Sequence, residues 1–224
     1  MTAHEPQLSL TYLLRRPIQA DAPPPLLIML HGVGSHEGDL FGLAPYLDDR
    51  FMIVSARAPV VLPQGGFGWY PVRFTPQGAI PDIQGAAETQ QKLSAFIAEA
   101  PAALGADPAR VILLGFSQGA IMSLNTMLTA PELIAGVAAM SGRLLFALQP
   151  TWTAPERLTG FPVLVVHGLY DTVLPIADGR AVRATLAALP VDLTYHEYPM
   201  AHQVGDASLA DVAAWLTARL DAPR

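Results

Sequence analysis

The sequence predicts an α/β fold, in which a mostly parallel central sheet carries helices on both of its faces. Short apolar runs recur along the chain, each followed by a glycine-rich or polar turn. Continuous runs of this length are typical of strands that are covered on both faces. Segments with helical spacing lie between the runs, and this alternation indicates crossover connections between parallel strands.

Length and composition agree with this fold class. The chain has 224 residues, the size of one ordinary α/β domain, and we expect a single domain over residues 1–224. Hydrophobic residues make up 51% of the chain and charged residues 14%. This balance suits a sheet buried on both faces and does not suit a disordered chain.

The strands are predicted in chain order from these runs. An imperfect apolar–polar alternation over residues 8–14 predicts an edge strand, closed by Arg15-Arg16-Pro17. The other strands are predicted at residues 26–30, 51–55, 111–114, 136–140, 163–166 and 193–198.

Helices are predicted between and after these strands, from apolar residues spaced three and four apart. They cover residues 93–104, 118–128, 176–189 and 209–220. Asp206 is the predicted N-cap of the last helix. Residues 57–81 and 142–160 carry no assignment, and long segments of this kind are often functional loops.

Charge and residue usage exclude several classes of function. The net charge is −6, and no Lys/Arg cluster exceeds Arg15-Arg16, so nucleic acid is not an expected partner. The absence of cysteine excludes disulfides, thiolate nucleophiles and Cys-ligated zinc. No apolar run approaches the roughly 20 residues of a membrane span, and the N-terminus lacks the pattern of a signal peptide. We expect no stable membrane insertion and a cytoplasmic location.

The candidate catalytic motif is a G-x-S-x-G sequence, Gly115-Phe116-Ser117-Gln118-Gly119. In a chain with 18 glycines such a pattern also arises by chance. Here, however, it follows an apolar run and precedes a helical pattern, which is the context of the nucleophile elbow in the α/β-hydrolase fold. We therefore predict that fold and predict Ser117 as the nucleophile.

A serine hydroxyl needs a base, and in this fold the acid and then the histidine follow the serine in the chain. His202 lies between the last strand and the last helix, which places it at the sheet edge of Ser117. His196 lies inside a strand pattern, where a structural role is expected. His167 ends a strand and precedes the candidate acid, which is the wrong order.

Asp171 is the predicted acid, because it lies in the loop that follows the strand at 163–166. Asp178 is the rival and is interpreted as a solvated residue of a helix. Asp171 could instead cap a helix, since Asp is favoured at that position. His167 and Asp171 do not suggest a metal site, because they share no helix face and no third ligand is evident.

The oxyanion of acyl transfer needs preorganised donors. One predicted donor is the backbone N–H of Gln118, directly after the nucleophile. The other is Val33 N–H, in the His31-Gly32-Val33-Gly34 turn after the first buried strand. The alternative is that His31-Gly32 is only a glycine turn.

Together these motifs resemble the phospholipase/carboxylesterase family, which includes bacterial carboxylesterases and acyl-protein thioesterases. The residues that carry the resemblance are Leu30-His31-Gly32-Val33-Gly34, Asp39-Leu40-Phe41, Gly115-Phe116-Ser117-Gln118-Gly119-Ala120, Ser141-Gly142, His167-Gly168, Asp171 and His202. The resemblance runs from about residue 26 to the C-terminus. It implies cofactor-free hydrolysis of short to medium acyl esters by the triad and the oxyanion donors named above.

Two departures favour a bacterial-type carboxylesterase over a protein-depalmitoylating enzyme. Trp69-Tyr70-Pro71 lacks the acid that often follows two aromatics in the family, and Ser35-His36-Glu37-Gly38 departs from the thioesterase pattern.

Several residues are candidates for the substrate cleft. Phe67, Trp69 and Tyr70 are predicted to wall it, although Trp69 could instead fill the core. Leu144 and Leu145 could line an acyl groove or could pack beneath a surface loop. His36 and Arg143 are rim candidates with no specific signal.

The predicted function is thus a serine carboxylesterase acting on a small-molecule ester. Thioester or lysophospholipid cleavage on the same triad stays open, as does a non-catalytic binding protein on the same fold, because a fold alone does not fix chemistry. A homodimer also stays open.

Overall fold

The computed structural model describes residues 5–18, 22–75 and 78–221. Its centre is a seven-stranded sheet with the order β1-β3-β2-β8-β9-β10-β11. The strands of this sheet are β1 (Tyr12–Arg15), β2 (Pro25–Leu30), β3 (Met52–Ala56), β8 (Asp107–Phe116), β9 (Gly136–Met140), β10 (Pro162–Gly168) and β11 (Asp192–Tyr198). Only β1 is antiparallel to its neighbour, so the sheet is mostly parallel, as predicted.

Both faces of the sheet are buried, which explains why its strands are continuously apolar. In β2, Leu26, Ile28 and Leu30 pack into the core on one face. Leu27 and Met29 pack into a second core on the other face. All five side chains are fully buried.

Helices cover both faces. They are α1 (Gly38–Phe41), α2 (Ile83–Leu104), α3 (Gln118–Thr129), α4 (Ile176–Ala187) and α5 (Asp206–Asp221). Buried residues of α2, α3 and α4 join the first core, whereas those of α1 and α5 join the second. Within the described ranges, no helix combines the length and apolarity needed to cross a bilayer.

Several predicted element boundaries were wrong. The helix predicted at residues 93–104 begins at Ile83, and the strand predicted at 111–114 begins at Asp107. The edge strand begins at Tyr12, not at residue 8, because its partner β3 ends at Ala56, which pairs with Tyr12. Asp206 is the first residue of α5 rather than its cap. The N-terminus of α5 is instead stabilised by Ser208. Its Oγ accepts the Gly205 N–H at 3.0 Å and donates to the Gly205 carbonyl at 2.8 Å.

The two segments without a sequence assignment contain short elements. The first forms two small antiparallel hairpins, one of β4 (Val60–Val61) with β5 (Phe67–Gly68) and one of β6 (Val72–Thr75) with β7 (Gly78–Pro81). The second contains two 3₁₀ turns, at Phe146–Thr151 and Pro155–Leu158. Both segments start at the edge of the sheet where the candidate site is found, because they follow the ends of β3 and β9.

The buried central strand makes a testable contribution to stability. Ile28→Ala removes a fully buried side chain from β2 and should lower the free energy of unfolding by about 2–5 kcal/mol. Ile80→Ala is the matched control, because Ile80 is 46% exposed; it should change that free energy by about 0.5 kcal/mol or less. Urea titration of both variants measures the difference, and equal losses would contradict this packing.

Candidate active site

Ser117 lies in the sharp turn between β8 and α3, in a strained backbone conformation. Its φ is 54° and its ψ is −118°. In the part of the chain that the structure describes, only Ser117 and Ser141 are non-glycine residues with positive φ. Strain of this kind is retained only where the surroundings enforce it, and it is concentrated at functional sites.

The glycines of the motif make this turn possible. A Cβ atom at residue 115 would lie 2.4 Å from the Gly119 carbonyl oxygen, and one at residue 119 would lie 1.9 Å from the Leu30 carbonyl oxygen. Neither position can carry a side chain, so the close approach of α3 to β2 requires glycine.

The structure brings Ser117, His202 and Asp171 together in one continuous chain of hydrogen bonds. Ser117 Oγ lies 2.9 Å from His202 Nε2. His202 Nδ1 lies 2.7 Å from Asp171 Oδ2. The Asp171 side chain is fully buried and that of His202 is 15% exposed. If the Nδ1–H donates to the carboxylate, Nε2 is free to accept the serine proton.

Backbone contacts hold the acid and base loops against each other. Leu169 N–H donates to the Tyr198 carbonyl at 2.7 Å, and Tyr170 N–H donates to the Met200 carbonyl at 3.0 Å. A Cβ at residue 168 would lie 2.4 Å from the Met200 carbonyl oxygen, so this close approach also needs glycine. The loops after β10 and β11 are therefore joined directly by backbone contacts.

The ring of His202 has a further neighbour that the sequence did not identify. The Phe116 ring centroid lies 4.9 Å from that of His202. Phe116 precedes the nucleophile, so the motif itself supplies a packing surface for the base.

The second oxygen of Asp171 fixes the orientation of the carboxylate. Asp171 Oδ1 accepts the Val173 N–H at 2.9 Å and the Leu174 N–H at 2.8 Å. Asp171 therefore stabilises a turn, but it is not the N-cap of α4, which begins at Ile176. Behind it, His167 Nε2 lies 2.8 Å from the Leu174 carbonyl and 3.7 Å from Asp171 Oδ2.

The rival residues lie elsewhere. His196 lies within β11, where the sequence placed it, and is exposed, with its ring centroid 6.3 Å from that of Tyr198. Asp178 lies in the first turn of α4 and is half-buried, not fully solvated. Across the described ranges, His, Cys, Asp and Glu form no cluster of three that could hold a metal ion.

Val33 and Gln118 border the same small cavity as Ser117. Within residues 5–18, 22–75 and 78–221, the backbone N–H groups of Val33 and Gln118 donate no hydrogen bond. Gln118 is the first residue of α3, where the helix has no internal partner for its N–H. Two unpartnered donors beside the serine are what an oxyanion site requires.

His31 anchors the loop that carries Val33. Its Nδ1 lies 2.7 Å from the Gly32 carbonyl, and its Nε2 accepts the Ala58 N–H at 3.1 Å. The side chain is fully buried, and burial lowers the pKa of His31, which keeps the ring neutral. The His-Gly turn is therefore tied to the segment after β3.

Phe67 supports the same loop through its backbone. Gly34 N–H donates to the Phe67 carbonyl, and Phe67 N–H donates to the Ser35 carbonyl, both at 2.8 Å. Beside them, Arg57 forms a bidentate ion pair with Glu37. The Arg57 guanidinium also lies 4.6 Å from the Phe67 ring centroid. The oxyanion loop is thus held by backbone hydrogen bonds with Phe67 and by the ion pair of Glu37 with Arg57.

The Gln118 side chain holds the aromatic segment in place. Its Oε1 accepts the Trp69 N–H at 2.6 Å, and its Nε2 donates to the Tyr70 carbonyl at 2.8 Å. Trp69 is fully buried, packs in the core and donates its Nε1–H to the His31 carbonyl at 2.9 Å. The prediction that Trp69 walls the cleft was therefore wrong, and the alternative of a core residue is correct. Among the three predicted aromatics, Tyr70 borders the cavity.

The cavity at Ser117 is small and mostly apolar, with a volume of about 40 Å³. Its other lining residues include Val72, Ile121, Val173 and Leu174, together with Arg143. Leu144 does not border it. Leu144 and Leu145 are buried and line an adjoining groove of about 340 Å³. His36 is exposed, and its Nδ1 accepts the Gly38 N–H at 3.0 Å.

Comparisons with known proteins agree with this fold. A model of the phospholipase/carboxylesterase family matches residues 18–220. Acyl-protein thioesterase 1 of Eremothecium gossypii is 27% identical over 234 residues, which cover 97% of each chain. Acyl-protein thioesterase 1 of Gibberella zeae is 35% identical over 121 residues, which cover 52% of this chain and 51% of that protein. The match to that relative thus spans about half of its length.

Solved structures resemble the fold over nearly the whole chain. Esterase PE8 is 30% identical with a TM-score of 0.79, and the match covers 93% of this chain and 98% of that one. A Bacillus cereus carboxylesterase has a TM-score of 0.81 at 20% identity and 94% coverage of each chain, a likeness of fold alone. The prediction of an α/β-hydrolase fold is confirmed.

The Glu37–Arg57 ion pair predicts that the stability of the protein depends on pH. The hydrogen bonds from Arg57 lower the pKa of Glu37 from 4.5 to about 2. A carboxyl whose pKa is lower when folded stabilises the protein above its unfolded pKa, and this contribution disappears as the pH falls from about 4.5 towards 2. Glu37→Gln should lower the melting temperature at about pH 7 by about 2–4 °C.

Thermal melts of the wild type and of Glu37→Gln across this range measure the effect. The two melting temperatures should converge in acid. Glu132→Gln, which breaks an ion pair with Arg157 whose side chains are 54% and 52% exposed, is the control and should shift the melting temperature less. A difference in melting temperature that stays constant at every pH would contradict a stabilising role of the Glu37–Arg57 ion pair.

Proposed function

The chain belongs to the phospholipase/carboxylesterase family, and from this premise we propose that it is a serine carboxylesterase that hydrolyses short to medium acyl esters. The observation that carries the proposal is the continuous hydrogen-bonded chain from Ser117 through His202 to Asp171. Its parts arise from three separate strand ends, and the nucleophile sits in a strained turn. The substrate is a small-molecule ester.

Acylation begins when Ser117 Oγ attacks the ester carbonyl while His202 Nε2 takes its proton. The imidazolium that forms is stabilised by the Asp171 carboxylate at 2.7 Å. The negative charge that develops on the carbonyl oxygen is held by the free N–H groups of Val33 and Gln118. His202 then protonates the leaving alcohol as the tetrahedral intermediate collapses to an acyl-enzyme.

Deacylation repeats these steps with water as the nucleophile. His202 Nε2 takes a proton from water as the oxygen attacks the acyl carbon. It returns that proton to Ser117 Oγ when the carboxylic acid is released. The free enzyme is regenerated, and none of these steps draws on a cofactor.

Cleavage of thioesters on the same triad is the second candidate. It is supported by two relatives named acyl-protein thioesterase 1. The same nucleophile, base and oxyanion donors serve both chemistries, since they differ only in the leaving atom. In either case the mostly apolar cavity beside Ser117 receives the acyl group.

Covalent labelling tests the nucleophile. A fluorophosphonate should modify Ser117, because only a serine activated by a base attacks the phosphorus at a useful rate. Mass spectrometry of the labelled peptide should place the adduct on residue 117, and Ser117→Ala should take up no label. Ser123→Ala is the matched control, since Ser123 Oγ bonds to the Gly119 carbonyl in α3 and should leave labelling intact. Persistent labelling of Ser117→Ala would point to another nucleophile.

Asp171→Asn tests the acid, and the geometry fixes how this variant should fail. Two backbone N–H groups bond to Oδ1, so the amide oxygen of the variant stays there and its NH₂ faces His202. The NH₂ donates to Nδ1 and forces the proton onto Nε2, which can no longer accept the serine proton. We expect kcat to fall about 10²- to 10⁴-fold, with a smaller effect on KM.

Asp178→Asn is the matched control, because Asp178 lies in the next helix and makes no contact with His202. It should hydrolyse a nitrophenyl ester at nearly the wild-type rate. Circular dichroism and thermal melts establish that both variants are folded. A crippled Asp178→Asn beside a fully active Asp171→Asn would show that the acid is assigned to the wrong residue.

A further inference from the structure

Arg143 is the charged side chain that borders the cavity at Ser117. It follows Ser141-Gly142 at the end of β9, the strand next to β8 in the sheet. Ser141 is fully buried, has a φ of 50°, and donates its N–H to the Val166 carbonyl at 2.9 Å. This strained turn sends Arg143 to the junction between the cavity and the adjoining groove, both of which it lines together with Ala79.

The hydrogen-bonding capacity of Arg143 is mostly unused. Its Nη2 donates to the Ala79 carbonyl at 3.2 Å. Its Nε is completely buried and has no partner. Over the described ranges, no carboxylate lies within 4.0 Å of its guanidinium, although Asp178 lines the same groove. The Arg143 side chain is half-buried, so part of its charge stays hydrated, whereas its buried Nε loses water and gains no partner in exchange.

Several other arginines are more fully paired within the protein, although the Nε atoms of Arg15 and Arg219 are also buried without a partner. Arg57 and Arg180 each form bidentate pairs with a glutamate. Arg15 donates to four backbone carbonyls. Arg143 differs from them in position, because it borders the same cavity as Ser117.

The surroundings strengthen the field of this charge. Apolar side chains such as Val72, Ile121 and Leu174 form most of the cavity wall, and an apolar wall screens charge less than water does. Tyr70 lies in the same cavity and responds to it: burial raises the pKa of Tyr70, and the positive charge of Arg143 acts in the opposite direction. An anionic group of a ligand would meet the same field.

We propose that Arg143 selects ester substrates that carry a carboxylate a few atoms from the scissile carbonyl, such as half-esters of short dicarboxylic acids. The guanidinium presents a planar fork that matches a carboxylate. Because Arg143 and Ser117 border the same cavity, a carboxylate that pairs with Arg143 lies only a few atoms from the carbonyl that Ser117 attacks. This inference rests on the proposed function, since it assigns the substrate class of the same site.

Two esters of nearly equal shape test the proposal. Monomethyl succinate carries the carboxylate, whereas methyl levulinate carries a methyl ketone in its place. Their hydrolysis is followed by pH-stat titration. The wild type should show a higher kcat/KM for the succinate half-ester. Arg143→Gln keeps a donor for the Ala79 carbonyl but removes the charge, and it should lower the succinate-to-levulinate ratio at least tenfold, about the effect of one charged hydrogen bond.

The ratio of the two kcat/KM values is measured because general damage to the site slows the hydrolysis of both esters alike. Arg143→Lys should give an intermediate ratio, since it keeps the charge without the fork. Arg73→Gln removes the same charge from an exposed residue of β6 and should leave the ratio unchanged. If Arg143→Gln keeps the wild-type ratio while both esters are hydrolysed, the proposal is overturned and the esterase function stands.

Binding to an inactive variant tests the inference without turnover. Isothermal titration of Ser117→Ala should show succinate binding at least tenfold more tightly than butyrate, which has a methyl group in place of the second carboxylate. Adding Arg143→Gln should remove the difference. Equal binding of the two acids overturns the proposal. Hydrolysis of neither ester, together with no fluorophosphonate labelling, contradicts the proposed function instead, and the titration still decides the role of Arg143.

Discussion

The contact between Gly119 and the Leu30 carbonyl is the constraint on which the site depends. A side chain at residue 119 would overlap that oxygen, so the start of α3 lies directly against the end of β2. This approach forces Ser117 into its left-handed turn and brings the oxyanion loop beside it. A Cβ at residue 32 would lie only 3.3 Å from that of Ser117. This backbone contact therefore brings the nucleophile and the candidate oxyanion donors together.

Backbone hydrogen bonds position most of the remaining machinery. The acid and base loops are joined through Leu169 and Tyr170, and the oxyanion loop is paired with Phe67. Asp171 is oriented by two backbone donors before it meets His202. The functional side chains are thus fixed without competing side-chain partners. Such preorganisation lowers the reorganisation needed during the reaction.

The sequence predicted those features that depend on a short stretch of neighbouring residues. Strands buried on both faces are recognisable as apolar runs, and the relative positions of Ser117, Asp171 and His202 follow from the rule that parallel strands end at one edge. The lining of the cavity was not predictable in this way. Trp69 is drawn into the core by the Gln118 side chain, 49 residues away, and Leu144 falls on the far side of Arg143. These placements depend on long-range packing, which no local pattern encodes.

The two charged side chains near the site, Asp171 and Arg143, differ in how fully they are paired. The negative charge of Asp171 is saturated by His202 and two backbone donors, whereas the positive charge of Arg143 retains free donors. A long alkyl chain would have to pass Arg143 to reach the groove lined by Leu144 and Leu145, and it would bury an unpaired cation on the way. A carboxylate removes that penalty by pairing with the guanidinium. If Arg143 selects carboxylate-bearing esters as proposed, it favours short anionic acyl groups over the long chains of lipidated proteins.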